Sequence, residues 1–132
     1  MKIKRLLPIF LSTMLLTGCA PAPSGDQATY KQISIEQAKQ IMKEQTGYII
    51  LDVRRPDEFA DKHIPCAINV PNETIGTSEI PELPDKDQLI LVYCRSGRRS
   101  KEAAQKLVEL GYTNIVEFGG ILDWTGETVS EN

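Results

Sequence analysis

The sequence predicts a single α/β domain: a mostly parallel β-sheet with helices over both faces. Two observations carry that expectation. Short apolar runs that end in charged or polar residues alternate with amphipathic stretches at helical spacing, the pattern of strand–helix–strand crossovers. The runs are also continuously apolar, as strands buried on both faces are. A length of 132 residues allows one compact core and no second domain.

The elements follow in order from about Tyr30. Ser34 suits an N-cap, and Gln37 three residues on completes a capping-box pattern. Ala38, Ile41 and Met42 then form one apolar helical face, and Gly47 ends the helix. Tyr48 to Val53 reads as a buried parallel strand. Arg55 to Ala60 begins a short helix with Pro56 tolerated in its first turn. Ala67 to Val70 is a second short strand closed by Pro71, and Thr77 to Asp87, with two prolines and many acids, reads as an exposed connection. Gln88 to Tyr93 is the central strand. Ser100 to Leu110 is a helix with Ala103, Ala104, Leu107 and Val108 on its buried face and Gly111 at its C-terminal end. Asn114 to Phe118 is the last strand, and Gly119-Gly120 leads into a turn around Trp124.

The N-terminus has a different character. Met1 to Arg5 is basic and Leu6 to Leu16 is nearly all apolar, the length of a secretory h-region and too short for a stable span. Leu16-Thr17-Gly18-Cys19 resembles a bacterial lipobox. That resemblance implies a signal peptide over residues 1–18, cleavage before Cys19, and a lipid with its acyl chains (palmitate among them) on the new N-terminus. Ala20 to Gln27 is small, polar and proline-rich, so residues 19–30 are expected to be a flexible tether to a domain spanning 31–130. The protein is then exported and anchored on the outer side of the cell membrane, or on the periplasmic face of an outer membrane. Loss of Lys2, Lys4 and Arg5 with the leader takes the 15 basic side chains to 12 against 18 acidic ones, a formal charge of −6. Such a body argues against nucleic acid and against anionic headgroups. The remaining positive charge clusters at Arg95, Arg98 and Arg99, which suits a small anion.

That cluster belongs to the stretch that carries the chemistry. The apolar run Leu89 to Tyr93 stops at Cys94; Arg95-Ser96-Gly97-Arg98-Arg99 follows, and a helical pattern starts at Ser100. A sulfur there meets loop amides, a helix N-terminus and guanidinium groups, all of which favour thiolate over thiol. Gly97 permits the tight turn that aims those amides inward. Ser100 is either a hydrogen-bond donor to the sulfur or the N-cap of the helix. One histidine and scattered cysteines offer no metal-ligand spacing, and no organic cofactor is needed.

Four separated motifs then resemble the single-domain rhodanese family in the family's order: Leu51 to Phe59, His63 to Pro71, Tyr93 to Ser100, and Gly119-Gly120 with Trp124. The resemblance covers nearly all of the chain after the tether. It implies a five-stranded parallel sheet between helices, and a sulfurtransferase that carries sulfur as a persulfide on Cys94. The partners would be a small anionic sulfur donor such as thiosulfate and a thiol or cyanide acceptor, with the enzyme a monomer. Arg99 fits the family's Cys-x-x-Gly-x-Arg pattern and is expected closest to the cradle, with Arg95 and Arg98 nearer the rim. His63 falls in a structural turn of the family pattern, and Asp52 and Arg54 are expected to fix neighbouring loops, with Glu58 a partner for Arg54. The family usually has glycine where this chain has Cys66.

Two other readings compete. After lipidation of Cys19, Cys66 and Cys94 are the only free thiols in an oxidising compartment, so a redox-sensing or persulfide-binding module could pair them as a disulfide. A cysteine phosphatase or arsenate reductase uses a similar loop of the form Cys-x5-Arg, but its arginine would fall at residue 100, which is Ser100.

Overall fold

The computed structural model describes residues 29–76 and 78–131. The leader over residues 1–18, Cys19 and nearly all of the tether lie outside the described residues. Five strands, β1 (Lys31–Gln32), β2 (Ile49–Asp52), β3 (Ile68–Asn69), β4 (Ile90–Cys94) and β5 (Ile115–Gly120), form one sheet in the order β1-β5-β4-β2-β3. All four pairings are parallel. Three helices connect them: α1 (Ile35–Glu44), α2 (Pro56–Asp61) and α3 (Arg98–Glu109).

Alternation along each strand divides the core in two. Leu51, Val53, Ile90, Val92, Cys94 and Ile115 face α3 and meet Ala103, Ala104, Leu107 and Val108. Ile50, Leu91, Tyr93, Val116 and Phe118 face the other way and meet Ala38 of α1 and Phe59 of α2. Both faces are therefore covered, which explains the absence of polar alternation in the sequence.

The helix signals act as expected, with shifted ends. Ser34 Oγ accepts the Gln37 N–H at 3.1 Å while Gln37 Oε1 accepts the Ser34 N–H at 2.9 Å, a complete capping box. Pro56 opens α2. Helix α3 starts two residues earlier than expected, because Gly97 adopts a positive φ of 111° and serves as its N-cap. Ser100 therefore lies inside the first turn, fully buried, and is not the cap.

Two further corrections concern the sheet and its cover. The two-residue edge strand β1 carries no apolar signature of its own; it exists because Lys31–Gln32 pairs with Val116–Glu117 of β5. The stretch from Thr77 to Asp87 is not simply exposed. Ile80 and Leu83 are buried against the α3 face, and the Leu83 carbonyl accepts the Tyr112 hydroxyl at 2.6 Å. Its prolines and acids mask two core residues.

Candidate active site

Strand β4 is buried along its whole length and ends at Cys94, so the sulfur is delivered at the carboxyl edge of the sheet, where α/β folds place their ligands. Cys94 is 1 % exposed. The Gly97 N–H donates to its Sγ at 3.0 Å, and Sγ lies 3.3 Å from Ser100 Oγ. An amide aimed at the sulfur from a helix start favours negative charge there.

Strand β5 shapes the back of this loop. Val92 pairs with Glu117, but Cys94 pairs with Gly120, so β5 carries one extra residue opposite the end of β4. This bulge brings Gly120 so close to the loop that a Cβ there would lie 2.0 Å from the Arg95 carbonyl oxygen. That carbonyl accepts the Leu122 N–H at 3.1 Å, tying the loop to the chain that follows β5.

The arginines line a cleft of about 620 Å³ together with Arg55, Glu58, Glu73 and Ser96. Arg99 is the most enclosed of the three, and its guanidinium is engaged: it donates to Glu58 at 2.7 and 3.1 Å. Those bonds hold the Glu58 carboxyl below the usual carboxylate range and raise the Arg99 pKa in turn. Glu58 thus partners Arg99 rather than Arg54, and α2 is bolted to the first turn of α3. Arg98 pairs with Glu102 on an exposed helix face at 3.0 Å. Arg95 is exposed and forms no ion pair among the described residues.

Asp52 and Arg54 brace the neighbouring loops, as expected. Arg54 donates its backbone N–H, Nε and Nη2 to the buried Asp52 carboxylate, and Nη2 also reaches the Lys62 carbonyl. Desolvation opposes the Arg54 charge, but the Asp52 bonds outweigh it and raise its pKa. Tyr93 lies on the opposite face from Cys94, where burial holds its phenol protonated and its oxygen accepts the Ile64 N–H at 3.1 Å.

His63 and Cys66 stand apart from Cys94. His63 is buried on the α2 face, stacked on Phe59 with Nδ1 2.8 Å from the Phe59 carbonyl, and so makes no dyad with the sulfur. Cys66 is exposed in the turn ahead of β3, with a positive φ of 69° that explains the family's usual glycine. It precedes β3 at the amino edge of the sheet, while Cys94 ends β4 at the carboxyl edge, with β2 between them. Two inter-strand steps alone separate β3 from β4 by about 10 Å, beyond the roughly 7 Å that a disulfide can bridge between Cα atoms. The Cys66–Cys94 pairing weighed as an alternative is not formed here: both thiols are free, and Cys66 sits as a residue tolerated in a turn.

One residue that sequence reasoning missed belongs to the site. Glu117, 3 % exposed in the middle of β5, accepts the Ser100 hydroxyl at 2.7 Å and the Gly119 N–H at 2.8 Å. Its signal was a lone acid inside the apolar run Ile115-Val116-Glu117-Phe118.

Comparison with known proteins fits this geometry. A family model described as the rhodanese-like domain matches residues 34–127. The thiosulfate sulfurtransferase PspE of Escherichia coli strain K12 is 37% identical over 73 residues, covering 55% of this chain and 70% of that protein. A sulfurtransferase of Allochromatium vinosum is 35% identical over 96 residues, 70% of this chain and 86% of the relative. Among solved structures, a rhodanese with anions from E. coli is 34% identical, with a TM-score of 0.58 over 63% of this chain and 98% of that one. The solution structure of the rhodanese-like domain of Anabaena sp. Alr3790, at 24% identity, shares the fold with a TM-score of 0.69 over 77% of this chain and 80% of that one.

Proposed function

The chain belongs to the rhodanese family of sulfurtransferases, and from that premise we propose that it moves a sulfane sulfur from thiosulfate or a persulfide donor to a thiophilic acceptor through a persulfide on Cys94. Cys94 attacks the outer sulfur of the donor and gives up its thiol proton as it does so. The donor's S–S bond breaks, and sulfite leaves with the electron pair. An acceptor thiolate or cyanide then attacks the bound sulfur and releases Cys94 as thiolate. The observation that carries the reading is the Gly97 amide 3.0 Å from Sγ at the start of α3, beside a cleft rimmed by arginines.

The loop residues divide the work. Arg95, exposed and without an ion pair among the described residues, draws in the anionic donor, with Arg98 adding to the positive field at the rim. Arg99 acts mainly by holding the start of α3, and with it the end of the loop, against Glu58. Ser96 lines the cleft, Gly97 supplies the amide and its positive φ, and Ser100 touches the sulfur. Incubation with thiosulfate should add one sulfur atom to the intact mass, cyanide should remove it as thiocyanate, and Cys94→Ser should show neither. A protein that gains no sulfur from any sulfane donor sinks this reading.

We also propose that Cys19 carries a lipid after removal of residues 1–18, and that residues 19–30 tether the domain spanning 31–130 to the outer side of the membrane. Cells fed a labelled fatty acid should label the wild type and not Cys19→Ser. Equal labelling of both would exclude the anchor.

A further inference from the structure

Glu117 is buried to 3 % exposure and forms no ion pair among the described residues. A carboxyl group in such a position costs free energy unless its surroundings satisfy or use its charge. Its Oε1 accepts the Ser100 hydroxyl at 2.7 Å, and on the other side of Ser100 lies Cys94 Sγ at 3.3 Å. Ser100 has one proton and three acceptors in reach: Glu117 Oε1, the Gly97 carbonyl at 3.0 Å and the Gly119 carbonyl at 3.3 Å. The carboxylate is the nearest and the only charged one, so it takes the proton. The Ser100 oxygen is then free to accept from the Cys94 S–H. A continuous chain runs from sulfur through hydroxyl to carboxylate.

We propose that Glu117 stores the Cys94 proton while the enzyme carries sulfur. The inference rests on the persulfide reading above and adds the destination of the thiol proton. As Cys94 attacks the donor, its proton passes to Ser100 Oγ and the Ser100 proton passes to Glu117. A thiol and a carboxylate become a persulfide anion and a carboxylic acid, while sulfite leaves with the electron pair of the broken S–S bond. When the acceptor takes the outer sulfur, Cys94 departs as thiolate and recovers the proton by the same route. The buried chain holds one negative charge before and after each step. Two anions joined through one hydroxyl, in a region where Cys94 is 1 % and Glu117 3 % exposed, would repel strongly at low dielectric.

Among the described residues, no other ionisable group is hydrogen-bonded to Cys94, Ser100 or Glu117. From the cleft side, Arg99 acts on Cys94 but is held by Glu58. The loop and the bulge contribute backbone groups, the Gly97 and Gly119 amides and carbonyls, none of them ionisable. Across the sheet, Glu117 is flanked in register by Val92 of β4 and Gln32 of β1, neither of which is ionisable. Glu117 acts through Ser100 and touches no substrate, so it is a positioning and proton-holding residue.

The test is an infrared difference spectrum of the full chain before and after thiosulfate, with intact mass read on the same sample. The wild type should gain one sulfur and one protonated-carboxyl C=O band that shifts on deuteration. The band should be lost completely in Glu117→Gln. It should also be lost in Ser100→Ala, which keeps the carboxylate and cuts the chain, so the test stands even if the first variant does not fold. Sulfur loading without the band in wild type, or a band that persists in Glu117→Gln, overturns the proton store and leaves the sulfurtransferase reading intact. No sulfur gain in the wild type overturns both.

Discussion

Replacing Gly120 by alanine would test whether the sulfur cradle depends on the close approach of β5. The new Cβ would lie 2.0 Å from the Arg95 oxygen, 2.4 Å from its carbonyl carbon and 2.6 Å from the Ser96 nitrogen. Real Cβ atoms essentially never come within 3.0 Å of such neighbours, so the Arg95–Ser96 peptide must retreat by at least the missing 1.0 Å (3.0 less 2.0). Backbone on both sides leaves no flexible side chain to absorb the move, which places the cost near the upper end of the overpacking range, about 3 kcal/mol. At a urea slope of about 1–3 kcal/mol/M, the unfolding midpoint falls by about 1–3 M. The same retreat pulls the loop away from the Leu122 N–H and carries the Gly97 amide off Sγ, where it now sits at 3.0 Å. Sulfur loading from thiosulfate, read by mass against time, should slow by about tenfold or more, the equivalent of losing one hydrogen bond to a charged group. An alanine variant with the wild-type midpoint and loading rate would falsify the close-approach argument.

Three further outcomes are expected. Glu58 sits below the ordinary carboxylate value because Arg99 donates to it, so the bridge stabilises fully above about pH 4.3, the unfolded value. That stabilisation drains away as pH falls through the lower folded value; the stability gap between wild type and Glu58→Gln should close in acid, and a gap constant with pH counts against the bridge. Cys66→Gly relieves a positive φ worth about 1–2 kcal/mol but frees the unfolded chain by about 0.5–1 kcal/mol. Its urea midpoint should match or slightly exceed wild type with loading unchanged, and a marked loss of stability would show that the Cys66 side chain matters. Asp52→Asn leaves the buried Arg54 guanidinium without its counter-charge and should cost about 3 kcal/mol in chemical denaturation. Adding Arg54→Met should then cost less than the two single changes summed; strict additivity would mean that the pair is not coupled.

Most of the fold could be read from local signals because those signals are strong here. The Ser34–Gln37 box, Pro56 and the continuous apolar runs each have one cheap structural solution, and each took it. What stayed hidden depends on partners distant in sequence. Lys31–Gln32 is a strand only because β5 lies beside it. Ile80 and Leu83 sit among prolines and acids, and only the packed α3 face reveals them as core. Cys94 announced itself through its neighbours in the chain. Glu117, 17 residues beyond the Ser100 it binds, did not. Charge on Arg99 was legible, but its capture by Glu58, 41 residues away, was not, because periodicity says nothing about which ion pairs close across elements. Whether Cys66 could reach Cys94 was open for a related reason: thiol counting ignores which edge of a parallel sheet each residue occupies.

The two strands at the margins of the sheet are each only two residues long. A border that short presents too few open amide and carbonyl groups for a neighbouring polypeptide to zip onto, and Pro71 closes the β3 side soon after Asn69. Held at high local density on a surface, copies of this domain would have little means of joining margin to margin into fibres.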